Sequence, residues 1–437
     1  MEFYIIIRII AGIFGAIRNM CIGIINLFVG LYNDEKRKRI DYINRGVIER
    51  RNSSIVELVN SDTAVRNSVV SGKSTYYKNL FLSNIARSAH SMGIAVLVLH
   101  ENDSEIESSM LQEVGKGLIV ISERNPVYDP FYKLKHIEIT ELMFNAASKQ
   151  YDLKKEDFES YVEVMCDFLL CQRKQITFDN MRNFPHMTFI DDIDSFVKSG
   201  RITQAQANVL KTKASMGQSE RNKIISLLNN WYKQCDTIVN TRGNGTRCNL
   251  IEAAVRKNVV CVDIGSNEND LFINDLVSQI QICNNRKIKV AVIIDDLDIS
   301  DNEKLKRLAS KTSNNTVLII STQDLNSMCN SDERLFNKLV SNSENIVIFG
   351  HSLGESCKKW AESIGTYEKE EQTTAYEKGH MQHSVFTLFP GSNSSTTQTY
   401  AKKREYIVKP EKINRMQPNE VYYYNNSLNQ LIHTFIR

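Results

Sequence analysis

Six apolar runs, one of them interrupted by Asp263, are the feature that most restricts how this chain can fold. Each is four to six residues long and lies between segments of polar or helical character. Runs of this kind are typical of strands buried on both faces. Strands that alternate with helices predict an α/β fold, in which a mainly parallel sheet is covered by helices on both faces. The runs are Ile94–Leu99, Leu118–Ile121, Val259–Ile264, Val290–Ile294, Val317–Ile320 and Ile346–Phe349.

Residues 139–239 interrupt this pattern, because apolar runs disappear and helical periodicity dominates. One stretch places five large apolar side chains on a single helical face, and a capping box at Thr203–Gln206 opens another helix. We therefore predict an all-helical insertion of about one hundred residues. Asp191, Asp192 and Asp194 lie within it, and their apolar neighbours favour a solvated helix face over a metal cluster. The five apolar side chains are Phe158, Tyr161, Val162, Met165 and Leu169.

The stretch Val69–Thr75 ends in Gly-Lys-Ser-Thr, the most informative part of a phosphate-binding loop. A bound phosphate needs backbone N–H groups that point at it, a compact cation and a hydroxyl for its Mg²⁺. A glycine turn supplies the amides, Lys73 would supply the cation and Ser74 the hydroxyl. The full pattern has a further glycine at position 67, where this chain has Asn67, which tolerates left-handed backbone. A surface turn before a helix over Tyr76–His90 is the alternative.

Three polar residues follow the ends of two predicted strands. Asp295 and Asp296 come directly after Ile294, and Gln323 lies shortly after Ile320. In open parallel sheets, ligands bind at the carboxyl ends of the strands. Asp295 could hold a nucleotide's Mg²⁺, Asp296 could orient or deprotonate the attacking water, and Gln323 could sense the γ-phosphate. Each has a plainer alternative, since the acid pair could start a turn and Gln323 could cap a helix.

Residues 3–32 are strongly apolar and long enough to cross a bilayer, which takes about 20 residues. Arg8 and Arg18 interrupt this stretch on one side of a helix. The basic run that follows, within Glu35–Arg39, would hold the rest of the chain at the cytoplasmic side, and no small-residue cleavage site precedes it. We expect an N-terminal membrane helix, spanning or interfacial. A helix that packs on a partner subunit is the alternative.

Composition is that of a globular protein, and it excludes few functions. The 437 residues allow two or three domains, and a net charge of +3 does not single out a nucleic-acid-binding protein. Nine cysteines without a C-x-x-C pair predict reduced thiols in a cytosolic compartment, and no zinc site. A small-molecule enzyme has little support, because no strand end carries a Ser/His or Cys/His pair.

Taken in order, these motifs resemble the HerA/FtsK group of P-loop ATPases, and within it the TraG/TraD-like coupling proteins of conjugation and type IV secretion. The resemblance runs from about residue 54 to the C-terminus. It implies a RecA-like ATPase domain in two parts, 35–138 and 240–437, around an insertion at 139–239, with 1–34 as membrane anchor. The further stretches that carry the resemblance are Val127–Phe131, Asn249–Ala254, Arg404–Pro410 and Arg415–Glu420.

The same resemblance implies ATP and Mg²⁺ as cofactors and a homo-hexameric ring whose pore moves DNA or a DNA–protein complex. Relaxase or secretion-channel proteins would be its partners. Arg334 lies where a finger arginine acting on a neighbouring subunit would be. The implied site residues are Ser71, Gly72, Lys73, Ser74 and Thr75 for ATP, Ser74 and Asp295 for Mg²⁺, and Lys73, Asp295, Asp296, Gln323 and Arg334 for catalysis.

Three departures from the family pattern keep other functions open. Asn67 replaces a glycine, Asp296 is shorter than the glutamate of many members, and only one membrane span fits where coupling proteins usually have two. One alternative is a nucleotide-binding relative that does not hydrolyse ATP and serves as an assembly or recruitment platform. Another is a different HerA-type motor, such as a secretion assembly ATPase or a defence-system translocase.

Overall fold

The computed structural model describes residues 2–54, 58, 65–147, 151–241, 245–265, 270–297, 299, 303–310, 315–352, 354–379 and 393–437. The strands are β1 (Val47–Glu49), β2 (Ser68–Ser71), β3 (Ala95–His100), β4 (Leu118–Ile121), β5 (Val259–Asp263), β6 (Val290–Asp295), β7 (Thr316–Thr322), β8 (Asn345–Ile348), β9 (Thr366–Gly379), β10 (Asn393–Tyr406), β11 (Glu420–Asn425) and β12 (Gln430–Phe435).

The helices are α1 (Glu2–Arg45), α2 (Thr75–Ser91), α3 (Ser104–Val114), α4 (His136–Ala147), α5 (Lys155–Cys171), α6 (Phe178–Arg182), α7 (Phe189–Lys198), α8 (Gln204–Met216), α9 (Arg221–Cys235), α10 (Leu250–Val255), α11 (Asp270–Asn285), α12 (Glu303–Ser310), α13 (Leu325–Met328), α14 (Glu333–Asn342), α15 (Gly354–Ile364) and α16 (Pro410–Asn414). Short 3₁₀ turns lie at Gly115–Gly117 and Gly217–Ser219.

One ten-stranded sheet organises the chain, in the order β1-β12-β11-β8-β2-β7-β6-β3-β5-β4. Every neighbouring pair from β8 to β4 is parallel, whereas β11 runs antiparallel to both β8 and β12. The predicted α/β fold with a mainly parallel sheet is therefore confirmed. All six apolar runs lie in its strands, with bounds that differ by one or two residues.

Two apolar cores cover the two faces of the sheet, because successive strand residues point to opposite sides. In β3, Leu97 and Leu99 belong to one core, whereas Val96 and Val98 belong to the other. Helix α2 packs through Phe81 and Ile85 on the second side. Burial on both faces explains why these strands are apolar throughout rather than alternating.

The stretch for which a helical insertion is expected contains α4 to α9, and the five apolar residues singled out on α5 are all buried. The capping box at Thr203–Gln206 is present at the start of α8. The three aspartates lie on α7, in which Phe189, Ile193 and Phe196 are buried. Asp194 accepts a hydrogen bond from Lys211.

A short neck joins these helices to the sheet. The Tyr128 amide donates to Ile238 O, and the Asp129 amide donates to Cys248 O. The buried Asp129 carboxylate accepts from the amides of Phe131 and Phe178, both at 3.1 Å, so it fixes the loop and the start of α6 together. Burial raises the pKa of Asp129 to about 6.

Helix α1 is apolar and long enough to cross a membrane in its part from Gly12 onward, where its side chains are largely exposed. It continues without a break to Arg45, which donates to the Tyr367 hydroxyl at 3.2 Å. That hydroxyl donates to Asp41 at 2.9 Å. By length and composition α1 is a candidate membrane anchor, attached at its far end to the globular part.

Strands β9 and β10 form a separate antiparallel hairpin of 14 residues in each strand. Its base pairs Thr366 with Tyr406, and β9 packs against α1. No apolar run in the sequence predicts this hairpin. Its Thr-, Ser- and Gln-rich strands lack the apolar alternation by which a half-buried strand is recognised.

We expect Asp129→Ala to lower the free energy of unfolding by about 2–4 kcal/mol, because two buried amides lose their acceptor. Asp129→Asn is the matched control, since its side-chain oxygen can still accept both bonds and it loses only the ion pair with Arg247, so it should cost less than Asp129→Ala. Urea unfolding measures both. Equal losses for the two variants would show that the amide acceptor is not what stabilises the neck.

Candidate functional site

The carboxyl ends of β6, β7, β2 and β8 lie side by side at one edge of the sheet. This edge receives the predicted phosphate loop after β2, the acid pair at the end of β6 and Gln323 after β7. The predicted phosphate loop, the acid pair and Gln323 therefore belong to one region of the molecule, whereas Arg334 lies on α14. Strand β7 separates β2, which precedes Lys73, from β6, which ends in Asp295.

The connection between β2 and α2 has only three residues, Gly72, Lys73 and Ser74. Strand β2 runs to Ser71, in register with Thr322 on one side and Ile348 on the other. The four residues that would wrap a phosphate in the full motif are thus held in the sheet ladder.

Two amides of this connection are already bonded to the protein. Gly72 N–H donates to Thr322 O and Lys73 N–H donates to Gly350 O, both at 3.0 Å. A phosphate cradle depends on backbone N–H groups that are free to point at the ligand. The backbone at Gly72 and Lys73 therefore does not provide a cradle in this conformation.

Gly72 is required here by packing rather than by a ligand. Its φ is +137°, and a Cβ at this position would lie 2.5 Å from Cβ of Phe349 and 2.9 Å from the carbonyl carbon of Phe349. The close approach holds the end of β2 against the residue that follows β8. The glycine of the motif is thus explained without a bound phosphate.

Ser71 is fully buried in a polar network beneath this turn. Its Oγ lies 2.9 Å from His351 Nε2 and accepts from the Leu325 amide at 3.3 Å. His351 Nδ1 lies 2.8 Å from the Phe349 carbonyl, which can only accept, so Nδ1 carries the proton and Nε2 is the acceptor. Trp360 Nε1 donates to the same Nε2 at 3.2 Å. Burial lowers the pKa of His351, consistent with a neutral ring.

Asp295 ends β6 and is only 2% exposed. Burial raises its pKa to about 6, against the opposing effect of the Lys78 ammonium. Among the residues that the structure describes, none forms a hydrogen bond with its Oδ1 atom. A buried carboxyl in this state is unlike a structural acid, which is normally fully bonded.

Asp296 is bonded on both sides of its carboxylate. Oδ1 accepts from the Gln323 amide at 2.7 Å, and Oδ2 accepts from Lys78 Nζ at 3.0 Å. Its backbone lies in the left-handed region, with φ +49°, and its amide donates to Ser321 O. The residue expected to position water is thus tied to the neighbouring strand and to α2.

Lys73, Gln323 and Arg334 have exposed side chains. Within the described part of the chain, neither Lys73 nor Arg334 takes part in an ion pair. Ser74 lies at the N-cap of α2 without a side-chain cap bond, and Thr75 is the first helical residue. An open cleft of about 420 Å³ lies beside Asp296 and Gln323.

Sequence reasoning missed Lys78 and His351, which are both buried at this edge. Lys78 lies on the α2 face that also carries Phe81 and Ile85, and a lysine in an apolar helical stripe is a signal for a buried charge partner. His351 follows the last apolar run directly, but its partner Ser71 is 280 positions away. No local pattern indicates that pairing.

The residues present do not fit a Mg-nucleotide as the site stands. The amides of Gly72 and Lys73 are occupied, and Asp296 is neutralised by Lys78. One feature suits a cation, namely the unpartnered Oδ1 of Asp295. The expected roles of Lys73, Ser74, Asp295, Asp296 and Gln323 stay predictions.

A protein-family model described as the TraM recognition site of TraD and TraG matches residues 299–418. This segment includes β7, β8 and the β9–β10 hairpin. The resemblance to the TraG/TraD coupling-protein family is confirmed. A comparison with curated protein sequences gave no match.

Among solved structures, the chain is similar to the bacterial conjugative coupling protein TrwBdeltaN70 in an unbound monoclinic form, with TM-score 0.52 and 11% identity over 89% of this chain and 88% of that one. For TrwB in complex with ADP and Mg²⁺ the TM-score is 0.49 and the identity 12%, over 89% of both chains. For VirB4 of Thermoanaerobacter pseudethanolicus the TM-score is 0.43 and the identity 11%, over 90% of this chain and 96% of that one. The first likeness establishes the P-loop ATPase fold.

We expect Gly72→Ala to destabilise the fold by about 2–4 kcal/mol, because the new methyl group overlaps Phe349 and the backbone is left-handed. Gly115→Ala is the matched control, since its φ is +68° and no atom lies within 4 Å of the added Cβ. It should cost about 1 kcal/mol. Thermal unfolding compares them without nucleotide. A glycine kept only for phosphate binding would tolerate both changes equally.

We expect Asp295→Asn to stabilise the protein at pH 8 by on the order of 1–3 kcal/mol. The folded-state pKa of Asp295 is raised to about 6, so this carboxyl favours folding when protonated and loses that contribution as pH rises through 6. The gain from the neutral amide should shrink toward pH 5 and vanish below pH 4. Denaturant unfolding at each pH measures it. A gain independent of pH would contradict this assignment.

Proposed function

We propose that this chain is a membrane-anchored, coupling-protein-like platform of a conjugative or type IV secretion-like system, which recruits partners without hydrolysing ATP. One observation carries the proposal: the amides of Gly72 and Lys73 are bonded to Thr322 and Gly350 instead of being available to a phosphate. The coupling-protein fold supplies the architecture, and the closed turn removes the element on which turnover depends.

Recruitment would use the segment that matches the TraM-recognition family. We propose that it contacts a relaxosome or secretion-channel protein, as the description of that family suggests. Because β9 packs against α1, this segment lies next to the candidate anchor helix. We accordingly place the protein at the membrane, with the bulk of the chain in the cytoplasm.

An ATP-driven DNA translocase, assembled as a hexameric ring, is the second candidate. It is favoured by two groups that have no partner among the described residues, namely the exposed Lys73 side chain and Oδ1 of Asp295. To bind phosphate, the turn would have to break two backbone hydrogen bonds, each worth about 1 kcal/mol net. It would also have to separate Gly72 from Phe349. A motor therefore requires a rearranged turn, which nucleotide or a ring neighbour would have to stabilise.

ATP turnover by the full-length protein in detergent, with and without single- and double-stranded DNA, separates the two candidates. We expect turnover no higher than that of Lys73→Ala in every condition, because the amides of the turn are not available. Lys73→Ala is a clean control, since the side chain is exposed and its loss should leave the fold intact. Partner or DNA binding by the same sample should be unchanged by ATP.

DNA-stimulated turnover that disappears in Lys73→Ala would overturn the platform and support the motor. Tight ATP binding without turnover would leave a platform that senses nucleotide. In that case Lys73→Ala should weaken binding severalfold, because it removes the cation nearest the turn.

A further inference from the structure

We infer that Lys78 is a built-in counter-ion of the acid pair Asp295–Asp296, and that its ammonium takes the place a divalent cation would otherwise occupy. The inference deepens the proposed platform function and rests on it. It concerns a residue that none of the recognised motifs includes. Its consequence is that the Asp296 carboxylate already has a cation without a metal ion.

Lys78 lies in the first turn of α2, where its amide donates to Ser74 O. Its side chain is 1% exposed, and its Nζ lies 3.0 Å from Asp296 Oδ2. A lysine is almost never buried to this degree unless a charge partner is present. The burial of Lys78 therefore depends on the acid pair, and the acid pair in turn has a fixed cation.

The carboxylate of Asp296 is held in place from the opposite side as well. Its second oxygen accepts from the Gln323 amide at 2.7 Å, and its own amide donates to Ser321 O. Both oxygens therefore have a donor. A divalent cation would have to compete with these two donors for a carboxylate whose position they already fix.

Charge leads to the same conclusion. Asp295 and Asp296 together carry at most two negative charges, and Lys78 already contributes one positive charge to them. A divalent cation would have to enter beside an ammonium that cannot withdraw into solvent, because it is buried. The Lys78 side chain is buried but that of Asp296 is 34% exposed, so solvent screens the repulsion between the two cations only in part.

The same interactions connect three elements. Lys78 belongs to α2, Asp296 follows β6 and the Gln323 amide follows β7. A metal ion at Asp296 would have to displace these contacts, which otherwise hold this edge of the sheet together.

Mn²⁺ binding to the full-length protein, followed by electron paramagnetic resonance without nucleotide, tests the inference. The wild-type protein should show no stoichiometric site. Lys78→Met keeps the length and apolar stem of the side chain and removes the charge, so the two carboxylates should gain a site that binds Mn²⁺ roughly tenfold or more tightly than wild type. Lys78→Arg keeps the charge and should behave like wild type.

The double variant Lys78→Met/Asp296→Asn is the second control, and it should lose the gained site. A stoichiometric Mn²⁺ site in wild type that disappears in Asp296→Asn would overturn the inference. So would a folded Lys78→Met with no gain. If Lys78→Met does not fold, the wild-type and Asp296→Asn measurements still decide. Mn²⁺ binding by wild type would refute the built-in cation alone, whereas ATP turnover would refute the platform.

Discussion

The hydrogen bonds at the end of strand β2 are the constraint on which the rest of the site depends. β2 lies in the middle of the sheet, between β7 and β8, and its ladder continues through Ser71 on both sides. The next two amides extend the same pattern to Thr322 and Gly350. A strand that is paired on both sides cannot shift along the sheet. The position at which β2 ends therefore also determines where α2 begins.

The short connection has consequences that the motif alone does not indicate. A phosphate loop needs residues outside the ladder, and here only three remain between β2 and α2. The Gly-Lys-Ser sequence is thus present, but the amides of Gly72 and Lys73 donate to the protein itself. Ser71 bonds to His351 and to the Phe349 amide, the Gly72 amide donates to Thr322 and the Lys73 amide donates to Gly350. Asp296 likewise bonds to Lys78.

Most of the fold could be predicted from the sequence, because burial on both faces leaves a direct trace in composition. The apolar runs identified β3 to β8, and the change of period identified the helical stretch. The hairpin was not predicted because its strands are polar.

The site was predicted only in outline. Its residues come to one edge of the sheet, but Lys78 bonds to a residue 218 positions away and Ser71 to one 280 positions away. The topology of the fold decides which buried polar groups pair over such distances, and the spacing of residues in the sequence does not predict it.

The attachment of α1 connects this edge of the molecule to its proposed location. Tyr367 lies in the segment that matches the family model, and it bonds to Asp41 and Arg45 at the end of α1. Asp41 is nine residues beyond Tyr32, the last residue of the apolar stretch. At 1.5 Å per residue this is about 14 Å along the helix. An anchor at α1 would therefore hold the recruiting segment close to the bilayer through one continuous helix. A direct connection between anchor and recruiting segment suits the proposed platform, whereas a motor must change shape with each nucleotide.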